Sequence, residues 1–152
     1  MSGIDLSTVT RALLGEGLEV DANEQDGVWA LMFEVNARMQ PAILSAPSSP
    51  PDESVYTHYL LAISFISSDR LNVPLDQLSA STLRILVKVQ SEVLLAKLDY
   101  WTVDGQASYV AVSPCSIVTF DGPKLRRRLE ACADLASRVR AALMEPEAGG
   151  EA

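Results

Sequence analysis

Residues able to do chemistry are scarce in this chain of 152 residues, which has one histidine, His58, and two cysteines, Cys115 and Cys132. Any Ser-His-Asp or Cys-His arrangement would have to use His58. It stands in a strand pattern between Thr57 and Tyr59, the setting of a surface or hydrogen-bonded structural histidine. Zinc takes three or four N, S or carboxylate ligands, and one histidine with two distant cysteines is a poor set. Two cysteines are also too few for a disulfide framework, so both are read as buried free thiols. A glycine-rich phosphate loop is missing too. Gly15-Glu16-Gly17 follows a helical pattern, the reverse of the strand-to-helix setting of a dinucleotide site. The acidic run Glu16, Glu19, Asp21, Glu24 and Asp26 lacks the alternating ligands and closing glutamate of an EF-hand. These absences lead to the expectation of a non-enzymatic protein with no metal and no cofactor.

No stretch approaches the ~18 consecutive apolar residues of a membrane span. Met1-Ser2-Gly3-Ile4-Asp5 has neither the basic start nor the apolar core of a signal peptide. A soluble, cytoplasmic protein is expected. Twelve Lys and Arg against twenty Asp and Glu give a net charge of −8 and a pI near 4.5. That balance argues against a nucleic-acid or membrane-surface partner, since both are held mainly by Lys and Arg. The charge is unevenly spread. Between Asp121 and Leu143 six cations face three carboxylates, net +3, which leaves −11 for the remainder.

What is present is pattern. Apolar residues make up 48% of the chain, enough for one domain over 1–144, followed by an acidic, Gly-containing tail at 145–152 that is expected to be disordered. Asp5 or Ser7 can cap a first helix carrying Leu6, Val9, Leu13 and Leu14, closed by Gly15 and Gly17. Strands are predicted over 18–22, 28–37, 42–46 and 55–66, with a Pro/Ser-rich loop at 45–54. A last helix begins at Asp121 with Pro123 in its first turn, and Phe120 and Leu125 are placed as a hydrophobic staple. Its stripe is Leu125, Leu129, Cys132, Ala136, Val139 and Leu143. Arg126, Arg127 and Arg128 spread over some 200° of that helix and cannot focus on one ligand, while Arg126–Glu130 and Arg138–Asp134 are spaced to pair.

Residues 78–93 fit two patterns. Leu83, Ile85, Val87 and Val89 alternate as in a strand, yet on a helix the apolar residues cover roughly 200° of arc. With Asp76, Ser79 and Ser81 available as caps, a helix is the reading. Its apolar arc exceeds what one sheet needs, so Leu83, Leu86, Val87, Val89 and Val93 are expected to form a homodimer interface. Residues 94–112 read as a hairpin around Asp104-Gly105. One face carries Tyr100 opposite Tyr109 and Leu98 opposite Ala111. The other carries Trp101, Val110 and Val112 beside Lys97, Asp99 and Ser108. A large aromatic beside branched aliphatics is the composition of an interface anchor, so Trp101, Val110 and Val112 are the expected partner-binding residues.

The segment Val87-Lys88-Val89-Gln90-Ser91-Glu92-Val93-Leu94-Leu95-Ala96-Lys97-Leu98-Asp99-Tyr100, followed by Asp104-Gly105 and a Leu/Arg/Ala-rich helix, resembles the YbjN family. The opening Ala12-Leu13-Leu14-Gly15-Glu16-Gly17-Leu18-Glu19-Val20 is similar to that family's helix-to-strand turn. The chain departs from it where Leu86, Val87 and Gln90 stand in place of frequent asparagines. The resemblance covers roughly residues 5–143. It implies an α+β fold with an antiparallel sheet and about three helices, in the α-β-β-β-α-β-β-α order that YbjN shares with class I type III secretion chaperones. It further implies an adaptor or chaperone-like homodimer that binds a client polypeptide, and no catalytic residues. The alternative is a small-molecule- or nucleotide-sensing regulatory domain.

Overall fold

The computed structural model describes residues 5–46, 59–103 and 105–144. The expectations for 1–4, the core of the Pro/Ser loop at 47–54, the strand start with His58 at 55–58, Asp104 and the tail at 145–152 lie outside them. The described chain runs α1 (Leu6–Gly15), β1 (Asp21–Asn23), β2 (Val28–Val35), β3 (Arg38–Ser45), β4 (Tyr59–Ile66), α2 (Ala80–Gln90), β5 (Lys97–Val103), β6 (Gln106–Ser116) and α3 (Gly122–Met144). Two single 3-10 turns, Asp69–Leu71 and Leu75–Gln77, join β4 to α2. The fold is α+β. Its six strands form one antiparallel sheet in the order β1-β2-β3-β4-β6-β5.

Local chemistry sets the helix ends. Asp5 accepts the Ser7 N–H at 3.1 Å, and these bonds hold its carboxyl below the usual carboxylate range. Gly17, at φ +77°, closes α1 with its N–H on Leu14 O. Ser79 caps α2 by accepting the Thr82 N–H at 3.1 Å, and Asp121 does the same for Lys124 at the start of α3.

Between 28 and 46 the chain differs from the sequence expectation. The strand predicted to run to Ala37 ends at Val35, and its partner begins at Arg38. Asn36 and Ala37 both take positive φ, 53° and 63°, and make the two-residue turn. Ala37 carries no signature of that conformation, which usually falls to glycine or asparagine. Asn36 is tied down by its Nδ2 donating to Asp134 Oδ1 on α3 at 2.9 Å.

All three helices pack on one face of the sheet. Trp29, Leu31 and Phe33 of β2, Ala42 and Leu44 of β3, Leu60 and Ala62 of β4 and Ala111 of β6 meet Leu125, Leu129, Cys132, Val139 and Leu143 of α3 there. Val9 and Leu13 of α1 and Leu86 and Val89 of α2 extend the same core. The whole expected α3 stripe is buried, and Ala133 and Leu135 widen it because α1 and α2 also pack against this helix. Contact with α1 is close enough that a Cβ on Gly122 would sit 2.8 Å from Ala12 O. On the outer face of α3, Arg126 pairs with Glu130, and Arg138 pairs with Asp134 and with Glu92 of the α2–β5 connection.

Candidate functional site

The hairpin keeps the expected register, Val103 with Gln106, Tyr100 with Tyr109 and Leu98 with Ala111. Gly105 takes φ +77° in its turn. This register decides what β5 shows at the sheet edge. The pair flanking a two-residue turn exchanges its hydrogen bonds, so Lys97, Asp99 and Trp101 also bond toward β6. Leu98, Tyr100 and Thr102 therefore turn their backbone N–H and C=O groups outward.

Side chains already occupy two of those outward donors. The Leu98 N–H donates to Gln90 Oε1 at 2.6 Å, and the Tyr100 N–H donates to Asp99 Oδ1 at 2.8 Å. Gln90 also donates from Nε2 to Ala96 O at 2.9 Å and to Val93 O at 3.3 Å. One glutamine at the end of α2 thus fixes the connection into β5 and blunts the strand edge. Unpaired strand edges invite pairing with another chain, and this one is partly closed.

Between α2 and β5 lies an apolar groove floored by Leu86, Leu98, Tyr100 and Tyr109 and walled by Leu75, Leu83 and Val87. Tyr109 is fixed by donating its hydroxyl to Val73 O at 2.7 Å, and burial raises its pKa. The two tyrosine rings lie 4.9 Å apart at a tilt of 57°, within the range favoured by aromatic pairs. The walls are exposed: Leu75 by 49%, Leu83 by 38% and Val87 by 71%. Apolar residues gathered like this on a surface mark an interaction site more often than scattered ones do.

The structure divides the five residues expected at a dimer interface. Leu86, Val89 and Val93 point into the chain's own core, and Leu83 and Val87 face outward along the groove. On α2 the core takes the side bearing Thr82, Leu86 and Val89. Leu83 and Val87, one turn apart, stand beyond it. Leu75, which completes the exposed strip, lies outside the helix, where helical periodicity carries no signal.

Trp101, Val110 and Val112 sit together, as the hairpin register implies, but on the sheet face opposite the helices. There they join Leu61 and Ile63 of β4 in a second small apolar cluster, with Phe65 against it. Trp101 is only 2% exposed, and its Nε1 donates to Asp99 Oδ2 at 2.9 Å. These three side chains, expected at a partner surface, present almost no area within the single chain. The same sheet face is open farther along, where Met32 of β2 and Met39 of β3 are exposed.

Among the described residues no three of His, Cys, Asp and Glu are grouped as metal ligands would be. Cys132 is buried, donates to Ala62 O, and has its pKa pushed up by burial, as does Cys115. The thiolate form, which reactivity requires, is thereby disfavoured at both. Among the described residues no helix is long and apolar enough to cross a membrane. Arg127 is exposed on the outside of α3, while Arg126 and Arg128 are engaged with Glu130 and Glu16 O and with Ser113 Oγ.

No protein-family model matches the chain, and no curated protein does. Among solved structures it is similar to YbjN from E. coli, described as a candidate transcription regulator. The similarity has a TM-score of 0.56 and 11% sequence identity, and it covers 91% of this chain and 90% of that one. At that identity the fold is what the two chains share, and the fold is YbjN-like.

Proposed function

We propose that this protein is a non-enzymatic protein-binding module, adaptor- or chaperone-like, whose docking surface is the groove between α2 and β5. The observation that carries this reading is the run of exposed apolar side chains at Leu75, Leu83 and Val87 beside a partly closed sheet edge. A YbjN-like fold is compatible with such a role. YbjN itself is described as a candidate transcription regulator. With a net charge of −8, a regulatory role here would act through protein contacts rather than phosphates.

The test is a photo-crosslinking residue placed at Val87, with one at Arg127 as control, in the full chain inside the native cell extract. The reading expects a polypeptide adduct at 87 and none above background at 127. Equal labelling at the two positions contradicts it. Adduct mass also separates occupants. Twice 16.4 kDa identifies a second copy, the homodimer that the α2 strip would equally allow, and any other mass identifies a client.

The groove's size supports a second reading. At about 360 Å³ it falls within the ~300–1,000 Å³ of small-molecule sites, which fits a ligand-sensing regulatory domain. Its lining is largely apolar, and the polar atoms of Gln90 and Asp99 are already engaged, with backbone groups and, for Asp99 Oδ2, with the Trp101 indole N–H. An apolar metabolite that raised the melting temperature and blocked crosslinking at 87 would favour this reading.

A further inference from the structure

Building on the protein-binding reading, we propose that the α2–β5 groove receives an amphipathic helix of a partner protein, with an acidic flank lying toward α2. Three features converge on that occupant. The β5 edge, where an added strand would have to bond, has its Leu98 and Tyr100 N–H groups taken by Gln90 and Asp99. Strand addition relies on those main-chain donors, whereas a helix brings its own backbone bonds satisfied and needs only an apolar trough. The trough's exposed wall is itself helical, with Leu83 and Val87 one turn apart, so another helix can pack along it.

Charge selects the kind of helix. Next around α2 from Val87 come Arg84 and Lys88, both exposed and neither in an ion pair among the described residues. Two like charges at i,i+4 repel, and α2 has no carboxylate of its own between Ala80 and Gln90 to offset them. In a chain of net charge −8 they form a local basic rim on an apolar strip. Across the groove Asp99 keeps its negative charge, with both oxygens held by N–H donors, so the basic rim on α2 is the cationic wall and an acidic flank is directed to that side. Carboxylates along the flank facing α2 complete it.

The experiment uses the full chain and two stapled helical peptides of about 18 residues. Both carry the same leucine stripe, one with glutamates and the other with lysines on the flank. Fluorescence anisotropy should show the glutamate peptide binding in the micromolar range and weakening with salt. Arg84→Glu with Lys88→Glu should weaken that peptide at least ~10-fold and improve the lysine peptide, a charge swap that misfolding cannot mimic. Val87→Asp should abolish binding of both. Equal affinity for the two peptides, binding that survives Val87→Asp, no binding below about 1 mM, or occupation by a second copy overturns the proposal. An adduct at position 87 without peptide binding leaves the protein-binding reading standing and removes only the acidic helix. Absence of both removes the two together.

Discussion

Gln90 and Leu98 are eight residues apart and are joined by a bond of 2.6 Å from the Leu98 N–H to Gln90 Oε1. Through this contact the end of α2 holds the outer edge of β5, and with it the floor of the apolar groove. The same side chain collects Val93 O and Ala96 O, so a single residue organises the turn that separates helix from strand.

Gln90→Ala removes all three bonds and leaves a strand-edge donor and two carbonyls to find water. The expected loss is about 2–3 kcal/mol in urea unfolding. Because the freed Leu98 N–H reopens the β5 edge, the variant should also self-associate more than the parent in sedimentation. A loss below ~0.5 kcal/mol with unchanged association would show that water replaces this side chain at no cost.

Trp101 sits in the small cluster with Leu61, Ile63, Val110 and Val112 and is bonded to Asp99. Trp101→Ala should therefore destabilise the chain by about 3–5 kcal/mol. Circular-dichroism melting decides the matter. If the melting temperature hardly moves, the indole is not packed as the structure has it, and a partner-facing role for this residue returns.

On α3, Leu129 is fully buried while Arg127 is exposed. Leu129→Ala should lose about 2–5 kcal/mol, and Arg127→Ala less than ~0.5 kcal/mol. The reverse order in chemical denaturation would mean that the helix is rotated from the position described.

The hairpin and α3 are legible in the sequence because their signals are local. The Asp104-Gly105 turn signal in the sequence implies the side-chain parity of both strands, and a stripe at spacings of four and three sets one face of a helix. Asn36-Ala37 escapes such a reading because alanine rarely takes positive φ. The division of α2 escapes it for another reason. Periodicity measures the width of an apolar arc, but the part that the sheet claims depends on where β5 and β6 bring Tyr100 and Tyr109. Strand parity puts Trp101, Val110 and Val112 on one face. Their burial depends on Leu61 and Ile63, which reach them only once β4 pairs with β6, a contact between segments some fifty residues apart in the chain. The groove's outer member Leu75 lies in a connection, where no periodic pattern distinguishes a binding residue from a solvated one.

The most direct test of the docking surface is Val87→Ser in the full chain, with stability and partner capture measured side by side. Val87 is the most exposed large apolar residue of α2, so the account predicts a stability change within about 0.5 kcal/mol and loss of the polypeptide captured beside α2. Capture at the parent level, or a melting temperature that falls by many degrees, would contradict the assignment of this groove as the surface through which the protein works.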